Sequence, residues 1–268
     1  MSNQFSLNHL RSCSIEGPEA LDYAQSQFTV GIESLSDNRW SPTAWCDPKG
    51  RVISFMMARR SEDGVDLVLP AVQVDTVRER LRQFTIGRKV RISGPGPVAG
   101  SFQPDPAMPT LSIDLTRGMR AHAEAHADDE MQQRWQRLDL CRGLPWLDPS
   151  SSQQHLPQWL GLEELGALAY DKGCYPGQEV IARLHYRGSI KYRLVGMKCN
   201  DASDFPAHAR VTDAGGNGVG HCLGGMNFSG EVIGLAVLST RIEDGSEVFL
   251  HAGDRSHSAR VTPPEGLC

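Results

Sequence analysis

The sequence predicts an α+β fold that ends in a small antiparallel β-barrel. Between residues 17 and 92 the apolar pattern runs helix, strand, strand, strand, helix, strand, which is not the regular βα alternation of a parallel sheet. Past about residue 195 the chain becomes short strands parted by glycine-rich turns, the signature of a small barrel. With 268 residues, 40% of them hydrophobic, the chain can fill a sizeable core.

In chain order, Ala20, Leu21, Ala24 and Phe28 recur at helical spacing after Gly17-Pro18 and predict a helix over about 18–28. The stretch SPTAWCDPKGRVISFMMARR reads as a hairpin, with a turn at Asp47-Pro48-Lys49-Gly50 and a β-like run from Val52 to Ala58. GVDLVLP adds a strand. Val74, Val77 and Leu81, with charges between them, predict an amphipathic helix, and KVRIS returns to strand. From Gly94 to Pro109 proline and glycine dominate, predicting a loop or an internal boundary. TLSIDLTRGMRAHA is strand material. The following segment is expected to pass through a helix or irregular stretch into a strand over 136–141, before a polar loop around Ser150-Ser151-Ser152. The runs YRLVGMKC, ARVTDAGGNGVGHCLGG, GEVIGLAVL, SEVFLHAG and HSARVTP supply the barrel strands. The expected division is 1–195 and 196–268, with a possible internal boundary near 94–109.

The net charge of −5 gives no overall attraction to nucleic acid or an anionic membrane, so direct binding of tRNA is not expected. No run of 18 apolar residues and no basic start followed by an apolar run is present, and a cytoplasmic monomer without membrane contact is expected. Seven cysteines are dispersed without a C-x-x-C pair, which argues against a disulfide framework and against a self-contained zinc or Fe–S site.

One stretch stands apart: DKGCYPGQEVIAR, from Asp171 to Arg183. The segment from Lys172 to Arg193 carries Lys172, Arg183, Arg187, Lys191 and Arg193 against Glu179, a local charge of about +4 in an acidic protein. Pro176 suits the first turn of a helix and Glu179 its positive end. Val180, Ile181 and Leu184 form an apolar stripe, and the helix is expected to end before Arg187-Gly188. Cys174 then lies just outside a helix start with Lys172 two residues away, a setting for a reactive thiol; a small buried cysteine holding a turn explains the same pattern. Gly177, Gln178 and Glu179 offer an anion site or a helix cap. No histidine neighbours Cys174 in sequence; His155 and His185 are the ones a fold could bring near it.

The long motif, with the following YRG and KYR, closely resembles the signature of the YgfZ-type folate-binding family, which is related to the aminomethyltransferase (T-protein) of the glycine cleavage system. YAQSQFT, CDPKGRV, RGLPWLD and HLPQWLGLEEL resemble further segments of that family, so the resemblance covers most of residues 17–195. It implies a three-lobed T-protein-like α+β fold with a C-terminal barrel and a tetrahydrofolate site in a central opening. It also implies a role in assembling or repairing Fe–S clusters, for enzymes such as those that thiolate tRNA, with Fe–S client or assembly proteins as partners. On this resemblance Cys174 is the functional thiol, with Lys172 beside it. The folate-contacting set is Trp135, Asp139, Tyr175, Gly177, Gln178, Glu179 and Arg183, Trp135 offering an aromatic face for stacking. A metal site is not expected.

The chain departs from the T-protein pattern at informative places. Ile53-Ser54-Phe55 stand where the T-protein carries aspartates used in aminomethyl transfer, which argues against the alternative of a tetrahydrofolate-dependent one-carbon transferase. Cys141 replaces the glutamate before Gly-x-Pro, and Asp139, expected on the same face of a strand, is the substitute. Gly31 and Leu10 stand where the family has an aspartate and an aromatic.

Overall fold

A computed structural model describes residues 4–103, 108–199, 205, 207–253 and 255–268. The chain opens with β1 (Phe5–Ser6) and β2 (Leu10–Glu16), followed by α1 (Ala20–Gln25). This helix is shorter than the predicted 18–28. Phe28 leaves it to bridge Trp45, and its buried ring packs with Tyr23 and Ala24 in one core. β3 (Arg39–Cys46) and β4 (Val52–Ser61) form the expected hairpin around the Asp47–Gly50 turn. The Asp47 carboxylate accepts from the backbone N–H groups of Lys49 and Arg51, each at 2.9 Å, which closes the turn. β5 (Gly64–Pro70), α2 (Val74–Gln83) and β6 (Arg91–Ile92) follow; α2 buries Val74, Val77 and Leu81 as its spacing predicts.

The predicted loop over 94–109 contains β7 (Val98–Ser101), whose four residues are all buried and pair with β1 and with β9. Residues 104–107 of that stretch lie outside the described residues. β8 (Thr110–Leu111) and β9 (Asp114–Ala121) lead to α3 (Asp129–Cys141). The strand expected over 136–141 is therefore the end of a helix. Asp128 caps it, accepting from the Met131 N–H at 3.0 Å, and Asp129 and Glu130 stand in its positive first turn. Trp135 and Asp139 are both buried, four residues apart and so on one helical face. α4 (Gln178–Arg187) is the signature helix.

Among the described residues, β1-β7-β9-β8-β3-β4-β5-β2-β6 form one sheet, antiparallel except where β3 meets β8. β10 (Tyr192–Cys199), β11 (Arg210–Thr212), β12 (Gly218–Phe228), β13 (Glu231–Ser239), β14 (Glu247–Ala252) and β15 (Arg255–Thr262) close a barrel in the order β10-β13-β12-β11-β14-β15. β13 explains its own uninterrupted apolar run. Val232, Ala236 and Leu238 fill the barrel interior, while Ile233, Leu235 and Val237 point outward into the core shared with the large sheet and α3.

A 3-10 turn at Pro264–Leu267 fastens the barrel to α3. Leu267 is fully buried in the shared core, and its carbonyl accepts from the Arg137 guanidinium at 3.3 Å. Here the reading of the cysteines is corrected: Cys141 and Cys268, 127 residues apart, form a disulfide with Cα atoms 5.5 Å apart, because this turn lays the last residue against the end of α3. Cys13, Cys46, Cys199 and Cys222 are buried free thiols, and Cys174 is exposed. No described helix is long and apolar enough to cross a membrane. Leu267→Ala is expected to lower stability by about 2–5 kcal/mol through the cavity it opens. A fall in the urea midpoint at unchanged slope measures it.

Candidate functional site

The signature loop is positioned by three segments that the sequence holds far apart. The Lys172 ammonium donates to the carbonyl oxygens of Phe28 at 2.6 Å and Val30 at 2.8 Å. Burial pulls its pKa down to about 8, so it stays a cation at neutral pH. Thr29, between those carbonyls in sequence, donates its hydroxyl to the Ala167 carbonyl at 2.7 Å and accepts from the Ala44 N–H at 2.9 Å. Gly177 caps α4 with φ of 80°, and a Cβ there would stand 2.5 Å from the Gly50 Cα and 2.6 Å from the Asp47 oxygen. The Asp47–Gly50 turn is thus the seat of the helix. Helix α4 begins at Gln178 with Gly177 as its cap, so Pro176 lies before the helix rather than in its first turn, and the helix runs through Arg187 rather than ending before it.

The remaining motif residues divide into ties and surface groups. Gln178 donates to the Lys172 carbonyl at 3.2 Å, and Tyr175 is buried beneath the Lys172 ammonium, 5.2 Å from it. Gln158, from the segment before the signature, donates to the Ile181 carbonyl at 2.8 Å. Glu179 and Arg183 form an exposed ion pair with each other, worth little to stability. Cys174 is exposed on the loop these contacts hold. Neither expected histidine is hydrogen-bonded to it. His185 pairs with Glu163 at 2.6 Å and stacks on Tyr170, and His155 lies beside Arg51 in a separate cleft.

Trp135 and Asp139 belong to a second group, on α3. Arg117, which the sequence reading did not single out, is fully buried; it donates to Asp114 at 3.0 Å and to Asp139 at 2.7 Å. Burial raises the Asp114 carboxyl, yet hydrogen bonds from Thr116 and the Arg117 charge hold it below the usual range. The Arg117 guanidinium lies 4.6 Å over the Trp135 ring, which Phe5 and Phe102 also pack, and Trp135 is 1% exposed. That corrects the expectation of a stacking platform: the ring is enclosed by protein. The placement of Asp139 also changes. On a helix it is turned by about 200° from Cys141, so the two do not share a face, and Cys141 is tied to Cys268 instead.

Asp139 nevertheless faces an opening. A cavity of about 240 Å³ lies where α3, the 144–148 segment and the outer faces of β12 and β13 meet. Its walls are largely apolar, Leu144, Leu223 and Met226 among them, with polar groups from His9, Gln136 and Asp139. The Trp146 indole, at its edge, donates to Asp139 at 2.9 Å and packs on Phe55. His9 has neither ring nitrogen hydrogen-bonded, and burial lowers its pKa against the opposing pull of the Asp139 charge. A neutral imidazole here has one donor and one acceptor without a partner. A flat heterocycle with N–H and carbonyl edges fits this set: apolar walls for its faces, a carboxylate for its N–H donors, and an unpartnered imidazole. Ligand pockets for larger molecules run to about 300–1,000 Å³. At about 240 Å³ this cavity is smaller, with room for a ring system rather than for a whole molecule of that size.

Histidine 9 and Arg117 are the residues that reading the sequence missed. A lone histidine and an arginine inside a strand carry no motif.

No family model matches the chain. It is 30% identical over 220 residues to the tRNA-modifying protein YgfZ of Klebsiella pneumoniae, covering 67% of this chain and 66% of that protein, about two thirds of its length. The tRNA-modifying protein YgfZ of Sodalis glossinidius is 27% identical over 233 residues, covering 72% and 70% of the two chains. An uncharacterized protein of Haemophilus influenzae is 25% identical over 267 residues, with 93% of each covered. In structure, the glycine cleavage system aminomethyltransferase T from Bartonella henselae matches with a TM-score of 0.70 at 13% identity, covering 98% of this chain and 85% of that one. The fold is thus T-protein-like α+β with a closed antiparallel barrel, as the sequence led one to expect.

Two substitutions test the seating of the signature loop. Lys172→Met removes the cation bonded to Phe28 and Val30 and is expected to cost roughly 1–3 kcal/mol. Gly177→Ala, forced into left-handed backbone against the Asp47–Gly50 turn, is expected to cost at least about 1–2 kcal/mol. Thermal or urea unfolding reads both; midpoints equal to the unsubstituted protein would contradict the geometry.

Proposed function

Because the chain belongs to the YgfZ family, we propose that it is a folate-binding accessory factor for the assembly or repair of Fe–S enzymes that modify tRNA. The observation that carries the folate half is the cavity between α3 and the outer faces of β12 and β13, with the unpartnered His9 imidazole and the Asp139 carboxylate among apolar walls. Asp139 would hold the amino and ring N–H edge of the pterin, His9 a second polar edge, and Leu144, Leu223 and Met226 its faces. A tetrahydrofolate bound there supplies a carrier of one-carbon units through N5 and N10. Arg117 and Trp146 orient the Asp139 carboxylate from behind.

The thiol half rests on Cys174. It is the one exposed free cysteine among the described residues, and it sits on a loop fastened at Lys172 and Gly177. A single thiolate is a soft ligand that holds iron only together with ligands from another protein, so an Fe–S client or assembly protein is the partner in this reading. The transferase alternative is not favoured. Ser54, at the place of a T-protein aspartate, is buried with its hydroxyl on Gln73 at 2.8 Å, and Phe55 is packed against Trp146.

Titration of tetrahydrofolate into the protein, followed by tryptophan fluorescence, is expected to give a saturable change reported by Trp146. His9→Leu should weaken binding about tenfold or more while leaving the unfolding midpoint in place, since no hydrogen bond of His9 is lost. Absence of a saturable change, or affinity untouched by His9→Leu, would overturn the cavity assignment. In cells lacking the protein, Cys174→Ala is expected not to restore tRNA methylthiolation, and full restoration would remove the thiol from the proposal.

A further inference from the structure

We propose that the cleft between the barrel strands β11 and β12 and the 154–159 segment binds the oxyanion group, phosphate or carboxylate, of a small ligand. The cleft has a volume of about 450 Å³ and is lined by Arg51, Arg210, His155, His208 and His221. Among the described residues that line it there is no carboxylate. In a chain of net charge −5, this places five groups that are, or can become, cationic around one opening with no counter-charge.

The cationic groups are held in place before any ligand arrives. Arg51 donates one N–H to the Gln154 carbonyl at 2.8 Å and lies 4.8 Å over the Trp159 ring, which packs on Tyr192 at 4.9 Å. With Arg51 and Tyr192 both packed on Trp159, the site offers charge and hydrogen-bond donors rather than a free stacking surface. Arg210 rests against Gly218, where a Cβ would stand 3.2 Å from its guanidinium. His208 and His221 stack at 5.1 Å with their planes 10° apart. His155 is 6% exposed, and its Nε2 has no hydrogen-bond partner. A buried ring nitrogen without a partner in a cationic opening is a place for a ligand atom.

The electrostatics agree. His155 is lowered to about 4 by burial first, then by Arg51, His221 and His208. His221 is lowered by burial first and then by His208 and Arg210, a hydrogen bond to the His208 backbone opposing them. The charges of Arg51 and Arg210 and the other imidazoles all resist a further proton, so an anion that neutralises the arginines raises these imidazoles back toward their ordinary value.

Either of two sources would present such a group: a phosphate ester, or the carboxylates of a folate glutamyl tail. The second is consistent with placement, because Val237 in the cleft and Leu235 in the His9–Asp139 cavity lie on the same face of β13, ~7 Å apart along the strand. The carboxylate source rests on the folate reading of the cavity; the oxyanion site does not.

The test is NMR of the histidine rings in the full chain, titrated with sodium phosphate and, separately, with γ-linked triglutamate, at ionic strength held constant with chloride. The expected result is a saturable shift of the His155 and His221 ring resonances with at least one anion. Arg210→Gln and Arg51→Gln, each checked for folding by its unfolding midpoint, should each weaken it at least fivefold. Saturation by phosphate alone assigns a phosphate ester and holds even if the cavity binds no folate. Saturation by triglutamate assigns the tail. No saturable shift with either anion, or shifts unchanged in both folded variants, would overturn the site.

Discussion

The Lys172 ammonium, bonded to the Phe28 and Val30 carbonyls, is where segments separated by more than a hundred residues are fastened together. A buried cation is costly unless its donors are engaged, so once the loop is folded Lys172 has a strong preference for this one arrangement. Thr29 locks the same strip to Ala167 and Ala44, and Gly177 settles α4 onto the Asp47–Gly50 turn. The exposure of Cys174 follows from these ties. With Lys172, Tyr175 and Gln178 turned inward, the cysteine is left facing out on a fastened loop, as are Glu179 and Arg183 on the helix that follows.

A second constraint shapes the interior. Arg117, Asp114 and Asp139 form a buried ionic cluster under the Trp135 ring, and removing one partner would leave an uncompensated charge. Its consequence reaches the cavity through Asp139, whose carboxylate is aimed by Arg117 on one oxygen and Trp146 on the other. The barrel supplies the opposite wall. Because β13 is apolar on both faces, it can fill the barrel and at the same time pack against α3, and the two openings lie along its outer face. A solvated outer face on β13 would have removed the apolar wall that it gives the cavity.

Much of the local structure was legible because it is written in periodicity and turn chemistry. The hairpin at Asp47-Pro48-Lys49-Gly50, the spacing of Val74, Val77 and Leu81, and the glycine-parted barrel strands each follow from neighbours in sequence. The 136–141 segment misled because Leu138 and Leu140 alternate with the polar Arg137 and Asp139 as in a strand. The capping aspartate at 128 and the pairing of Trp135 with Asp139 four residues on decide for a helix. β7 was hidden because small residues between prolines read as a loop until β1 and β9 enclose them.

The sequence by itself determined the α+β class, the barrel and the motif that carries the family resemblance, since these rest on patterns within a few residues. Only the tertiary structure decided what the motif residues do. It turned Lys172 from a neighbour of the thiol into a tie to Phe28 and Val30, enclosed Trp135, paired Cys141 with Cys268 and put His9 and Asp139 on one cavity. The physical reason is that hydrogen bonding and burial of polar groups are settled by long-range contacts, and local sequence holds no record of which distant carbonyl or carboxylate a side chain will meet.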